Sequence, residues 1–361
     1  MQATRTPNKR TPARGAKPAR HWLKKLASAL GGVVALALGA TGVLWWWAGT
    51  DGSLATALQW IETSQPLRAK NASGSLRAGG HVDELHWLQN GLGVDARDVT
   101  LAWQPWSLLQ GTLKLKRLAA ASVQINDQRP PSATPATPPK ALALPLSIEL
   151  NDFSVGQFDM AGSTPFTASA ISGNYRYNGL QHQLDLKGAQ VASGLYNGRA
   201  VLTANQPLTL DASLAGALAL TLPDQKTLLP FSFQSTAKGP LTELLVKAEL
   251  QMATQPAAKG AKPAAQPRAS ASARVMPWAA QPLPQADATF RDLDLAALWP
   301  AAPQTLLTGS AQVQPLAAAP DKASAAWALQ LQLANALPGP WDQNRLPVDS
   351  LDTQGEWRDG A

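Results

Sequence analysis

Cysteine is absent from the 361 residues, which excludes disulfide scaffolds, thiol nucleophiles and cysteine-ligated metals. Histidine is scarce, with His21 near the N-terminus and His81, His86 and His182 beyond it. His81 and His86 are five apart in HVDELH, so the segment fails H-E-x-x-H, which needs two histidines at i and i+4 on a helix. With Asp83 and Glu84 beside them, these residues read as a solvated polar turn in preference to a metal site. A P-loop and a nucleophile-elbow pattern are both missing. Gly74, Gly79, Gly80, Gly91 and Gly93 are scattered through turns and do not join a strand to a helix, so no phosphate cradle is expected. Asp95 and Asp98 flank a strand junction and read as bulge or turn residues. The expectation is a protein with no catalytic residue, no metal ligand and no cofactor, hence not an enzyme.

Charge is also scarce, at 15% of residues, and it is unevenly placed. The formal charge of +7 comes from the first 25 residues, where Arg5, Lys9, Arg10, Arg14, Lys17, Arg20, Lys24 and Lys25 stand without an acid. Taking these eight from 31 bases leaves 23 against 24 acids, a net of −1. A near-neutral body excludes a nucleic-acid groove, whereas a basic tail beside an apolar run suits a membrane surface.

That run is Leu26 to Trp47, 22 residues without a charge. At ~1.5 Å per residue it makes ~33 Å of helix, enough for a hydrocarbon core of ~30 Å. Leu26, Val33, Val34, Leu36, Leu38, Val43 and Leu44 supply its apolar surface. Trp45, Trp46 and Trp47 stand where an interfacial aromatic belt sits, and Arg20, Lys24 and Lys25 mark the opposite, cytoplasmic interface. A cleaved signal peptide fits less well, because three tryptophans occupy the position where small residues permit cleavage. The expectation is a single-pass anchor in the inner (plasma) membrane, N-terminus cytoplasmic, with the rest periplasmic.

Beyond the anchor the sequence alternates. Residues 53–66 suit a short amphipathic helix, with Leu54, Leu58 and Ile61 on one side and Pro66 at its end. Period-2 patterns then dominate: Leu92, Val94 and Ala96; after a slip of phase, Val99, Leu101 and Trp103; then Leu113 and Leu115, Val123 and Ile125. Later runs include Leu184 and Leu186, Phe231 and Phe233, and Trp327, Leu329, Leu331 and Leu333. These predict about fifteen antiparallel strands with one apolar face. Asn178-Gly179 and Asn197-Gly198 suit tight hairpin turns. The chain divides into a basic tail (1–25), a transmembrane helix (26–47), β segments at 48–127, 142–253 and 273–361, and two low-complexity insertions. These are Pro-rich at 128–141 and Ala/Pro-rich at 254–272, each too poor in apolar residues to order itself, and either would also serve as a linker. The last segment breaks off in a strand, as expected of a fragment.

An apolar strand face must be buried on itself, on another sheet or on a ligand. Curled lengthwise, the sheet makes a trough with an aliphatic floor, which suits acyl chains because they need only dry apolar surface. A membrane-anchored scaffold of closed β-sandwiches, binding a periplasmic partner, satisfies the same pattern.

Residues 73–125 carry a resemblance. Gly74-Ser75-Leu76, Leu85-His86-Trp87, Val94 through Val99, Leu101-Ala102-Trp103, Pro105, the pair Leu108-Leu109 and Gly111 through Ile125 follow one another as in the N-terminal region of the TamB family, within the wider AsmA-like group. Asp292 to Leu295 with Leu298-Trp299-Pro300, and Leu337 to Trp341 with Leu346-Pro347, are similar in style. The resemblance implies an extended β-sheet curled into a U-shaped hydrophobic groove, lying in the envelope between inner and outer membrane. It implies phospholipid transport and, with an Omp85-type outer-membrane barrel (TamA-like), assembly and secretion of outer-membrane proteins. That barrel would engage a C-terminal part missing here. Groove candidates from the alternation are Leu92, Val94, Leu101, Trp103, Leu113, Leu115, Leu329, Leu331 and Leu333, their inward orientation being assumed from period 2.

Overall fold

The alternating runs form sixteen strands in a single sheet, β1 to β16, ordered in space as they are in sequence. The computed structural model describes residues 39–129, 137–162, 165–221, 228–252, 267–279, 282–298, 302–316 and 326–358. The strands are β1 (Leu67–Ser75), β2 (Gly79–Gln89), β3 (Leu92–Gln104), β4 (Thr112–Asp127), β5 (Ser147–Ala161), β6 (Phe166–Tyr177), β7 (Gln181–Val191) and β8 (Gly194–Thr203). They continue with β9 (Thr209–Thr221), β10 (Leu228–Pro240), β11 (Leu244–Met252), β12 (Arg268–Val275), β13 (Gln285–Leu293), β14 (Leu307–Pro315), β15 (Ala326–Asn335) and β16 (Ser350–Arg358). At ~4.8 Å per strand, the sheet is about 70 Å long.

Two units are distinguished, residues 1–50 and 51–361. In the first, residues 39–47 are helical, with Val43, Leu44 and Trp46 well exposed. Of the predicted anchor, Leu26, Val33, Val34, Leu36 and Leu38 lie outside the described residues, as do Arg20, Lys24 and Lys25. Among the described residues no helix is long and apolar enough to cross a membrane.

In the second unit, α1 (Ser53–Glu62) packs on β1. Leu54 is buried, but Ile61 is 41% exposed, so the apolar stripe faces the sheet only at the helix start. Helix and edge strand are stitched by polar bonds: Glu62 Oε1 accepts from the Ala69 amide (2.6 Å), Ser53 Oγ accepts from the Leu76 amide (3.0 Å), and the Gly52 amide donates to the Gly74 carbonyl (2.9 Å). Part of the backbone of β1, which would otherwise template further pairing, is thereby satisfied.

All pairings are antiparallel except one. β4 and β5 run parallel, Thr112 beside Ser147 and Asn126 beside Ala161. A parallel neighbour needs a return crossing, and the Pro-rich stretch predicted as an insertion supplies it. Its described end, residues 137–146, crosses the ends of β6 to β8. Ala141 bridges to Asn205, and the Leu142 amide donates to the Ala204 carbonyl (2.8 Å). The Leu144 amide donates to Tyr177 Oη (3.1 Å), which in turn donates to the Gly179 carbonyl (3.2 Å). His182 Nε2 lies 3.0 Å from the Leu142 carbonyl, which only accepts, so the proton sits on Nε2 and Nδ1 accepts from Tyr175 Oη at 2.7 Å. Tyr177 stacks on His182 at 4.5 Å and is among the most buried side chains.

A second feature crosses the sheet transversely. Asn71, Asp83, Asp98, Ala121, Gly156 and Ala170 occupy one row of β1 to β6, and the ladder skips this row at every interface. Asn71, Asp98 and Ala170 have φ of 51°, 52° and 49°. These are the three strands running in one direction; the opposed β2, β4 and β5 carry no left-handed residue in the row. Since pairing numbers are unchanged across it, the strands kink together and stay in register. The phase slip between Ala96 and Val99 is this row. Neither carboxylate is the bulge or turn residue expected: Asp98 lies inside β3 with its register unchanged on both sides, and Asp95 is paired with His86 and Gln124. Asn197-Gly198, by contrast, is no turn: it lies inside β8, where a Cβ on Gly198 would stand 2.5 Å from the Ser213 carbonyl oxygen. The β7–β8 turn falls at Ala192 and Ser193, with Ala192 at φ 49°. HVDELH likewise is no turn but the middle of β2.

Candidate functional site

The two faces of the sheet differ in chemistry. On one, β3 and β4 set Val94 opposite Ile125, Ala96 opposite Val123, Leu101 opposite Leu118 and Trp103 opposite Leu115. β5 and β6 extend it with Leu115 beside Leu150, Leu150 opposite Tyr175 and Phe153 opposite Gly173. Further along, Phe233 pairs with Leu250, Ala237 with Val246, and Val313 with Leu329. The other face carries cross-strand ion pairs, Lys70–Glu84 (2.6 Å) and Lys114–Glu149 (2.9 Å), and a row of Gln312, Gln330 and Gln354. The Lys70 ammonium, hydrogen-bonded to Glu84, lowers the Glu84 pKa.

Among the described residues no second sheet covers the apolar face. Among the described elements, substantial packing occurs only between neighbouring strands, between α1 and β1, and between β4 and the 3₁₀ turn Pro105–Gln110. Among the described residues ten apolar ones are buried, scattered from Leu54 to Leu307 instead of gathered in one core. The closed β-sandwich is therefore not this fold: the sheet is curled and open. Between β7 and β10 the apolar face forms a depression of about 200 Å³ lined by Leu184, Leu186, Ala200, Ala212, Leu214 and Ala237.

Leu92, Val94, Leu101, Trp103, Leu113 and Leu115 lie along β3 and β4, with Leu92 and Val94 at one end of the pair and Trp103, Leu113 and Leu115 at the other, all half-buried. Leu329, Leu331 and Leu333 lie on β15, eleven strands beyond β4. Leu331 and Leu333 are half-buried and Leu329 is 41% exposed. Trp103 has a further task, since its indole N–H donates to the Leu76 carbonyl (2.7 Å) and ties β3 to the β1–β2 turn. The central depression was not singled out from sequence, because Ala200, Ala212 and Ala237 alternate too weakly in hydropathy. One signal was available there, the Leu184–Leu186 pair. Tyr175 sits on this face beside His182, and burial raises its phenol pKa.

No curated protein and no solved structure matches the chain. Residues 40–160, from the helical segment through β5, match the family described as TamB, N-terminal domain. The ordered motifs of residues 73–125 lie inside that match, which covers about a third of the chain and identifies its N-terminal portion as similar to the TamB N-terminal domain.

Proposed function

We propose that this protein is an inner-membrane-anchored, non-catalytic carrier in which phospholipid moves along the apolar strand faces between the inner and outer membranes. The observation that carries the reading is the long apolar face, on which no other layer packs among the described residues. Removing such a surface from water contributes roughly 25 cal/mol per Å², and an acyl chain supplies the cover without needing polar partners. The TamB family match supports the envelope setting, and the charge-free run with its basic flank supports the anchor.

A protein-assembly role, shared with an outer-membrane partner, is the second reading, and the TamB match supports it as it supports the first. In that role exposed strand edges pair with client strands.

Retention of phospholipid by the full chain, purified in mild detergent, tests the first reading. Wild type should retain several-fold more phospholipid than a Leu115→Asp/Leu331→Asp variant of unchanged circular dichroism. Lipid held at the anchor is common to both proteins, so equal retention would overturn the groove.

A further inference from the structure

On the polar face, His81, Asp83 and Asp98 converge at the kinked row of β2 and β3. His81 Nε2 lies 3.1 Å from Asp83 Oδ1 and 3.9 Å from Asp98 Oδ1, and one donor atom from each residue falls within 4.8 Å of the others. Donors at ~2.0–2.2 Å from a common ion stand about 3–3.5 Å apart, so these three need only small rotations to share one. We propose that they bind a divalent first-row metal ion, with water completing its coordination.

Three features support the assignment. Asp83 and Asp98 occupy facing positions of the row, an arrangement of like charges that a sheet ordinarily disfavours. Among the described residues, neither has a Lys or Arg partner; the basic group facing both is His81. The outer contacts are also those of a metal site, in which neighbours orient each ligand. Asn71 Nδ2 donates to Asp83 Oδ2 (2.9 Å), leaving Oδ1 toward His81, and His81 Nδ1 stands 3.4 Å from Thr100 Oγ1. Without an ion, Nε2–H donates to Asp83 Oδ1 and Nδ1 accepts from the Thr100 hydroxyl; an ion taken up at Nε2 replaces that proton, and Nδ1–H then donates to Thr100 Oγ1. One imidazole and two carboxylates suit zinc or manganese, and zinc binds such donor sets more tightly. The ion would clamp β2 to β3 where their ladder is interrupted. This site lies on the face opposite the groove and does not depend on lipid transport.

Zinc chloride titrated into the full chain, followed calorimetrically, tests the site, and the absence of cysteine keeps competing ligands few. Wild type should bind one equivalent that His81→Ala and Asp98→Asn each weaken by at least tenfold, while His86→Ala retains it. Asp98→Asn preserves shape and tolerates the left-handed backbone, so its loss of binding is not a loss of fold. Unchanged zinc binding in both His81→Ala and Asp98→Asn, or equal weakening by His86→Ala, would overturn the proposal.

Discussion

Gly156 of β5 lies so close to Ala121 of β4 that a Cβ on the glycine would stand 2.6 Å from the alanine carbonyl oxygen. Both residues belong to the transverse row at which β1 to β6 kink in step, and the glycine is what permits the approach of two parallel strands there.

Gly156→Ala should therefore destabilise the protein by about 1–3 kcal/mol, as overpacking does. Gly355→Ala, where nothing lies within 4 Å, should change stability little. Urea unfolding of the two variants distinguishes them, and equal midpoints would remove the steric role of Gly156.

Asn335 is buried at the end of β15, and all its side-chain hydrogen-bonding groups are used. Its Oδ1 accepts from the Leu306 and Leu337 amides, and its Nδ2 donates to the Leu346 and Val348 carbonyls. Asn335→Ala strands these backbone groups and should cost about 2–3 kcal/mol. Hydrogen exchange should rise at the Leu306 and Leu337 amides before it rises in β5.

Tyr177 joins the crossing segment to the β6–β7 turn through one hydroxyl. Tyr177→Phe should leave the ring stacked on His182 but free the Leu144 amide, at a cost of about 1–3 kcal/mol. Faster exchange at Leu144 with unchanged protection in β10 is the expected pattern. Uniform loosening of the sheet would show that the hydroxyl is not a local latch.

Asp127 is held at a pKa of about 2 by hydrogen bonds from the Arg129 side chain and backbone. A depressed carboxyl stabilises the folded state above its ordinary pKa, 3.8 here, and that contribution is lost as pH falls through about 2. Both groups are solvent-accessible, so the effect is local. Carboxyl NMR should show Asp127 titrating near 2 in the wild type and moving up in Arg129→Ala. An unshifted titration would deny the pairing.

Strand number and the apolar face were legible in sequence because each rests on local alternation; the slip of phase between Ala96 and Val99 coincides with the transverse row, but the row itself was not read from it. The parallel β4–β5 pair was not legible, because residues 128–141 have no periodicity and the described part of the connection, residues 137–146, is held by distant partners such as Ala204 and Tyr177. Asn197-Gly198 misled because the dipeptide fits a turn locally, while the Ser213 carbonyl and Leu214 across the strand demand a glycine for space. His81 and Asp98 are seventeen residues apart in sequence, and only the β2–β3 register brings them together. The central depression mixes leucines with alanines, serines and a glycine, and the small residues leave little pattern to read.

The apolar face is proposed to carry phospholipid. Photoreactive residues placed singly at Leu115 and Leu331 on that face, and at Lys114 and Gln330 on the other, test it most directly in intact membranes. Crosslinked phospholipid at Leu115 and Leu331 but not at Lys114 and Gln330 is the predicted result. No lipid adduct at Leu115 or Leu331, or equal labelling of both faces, would contradict it.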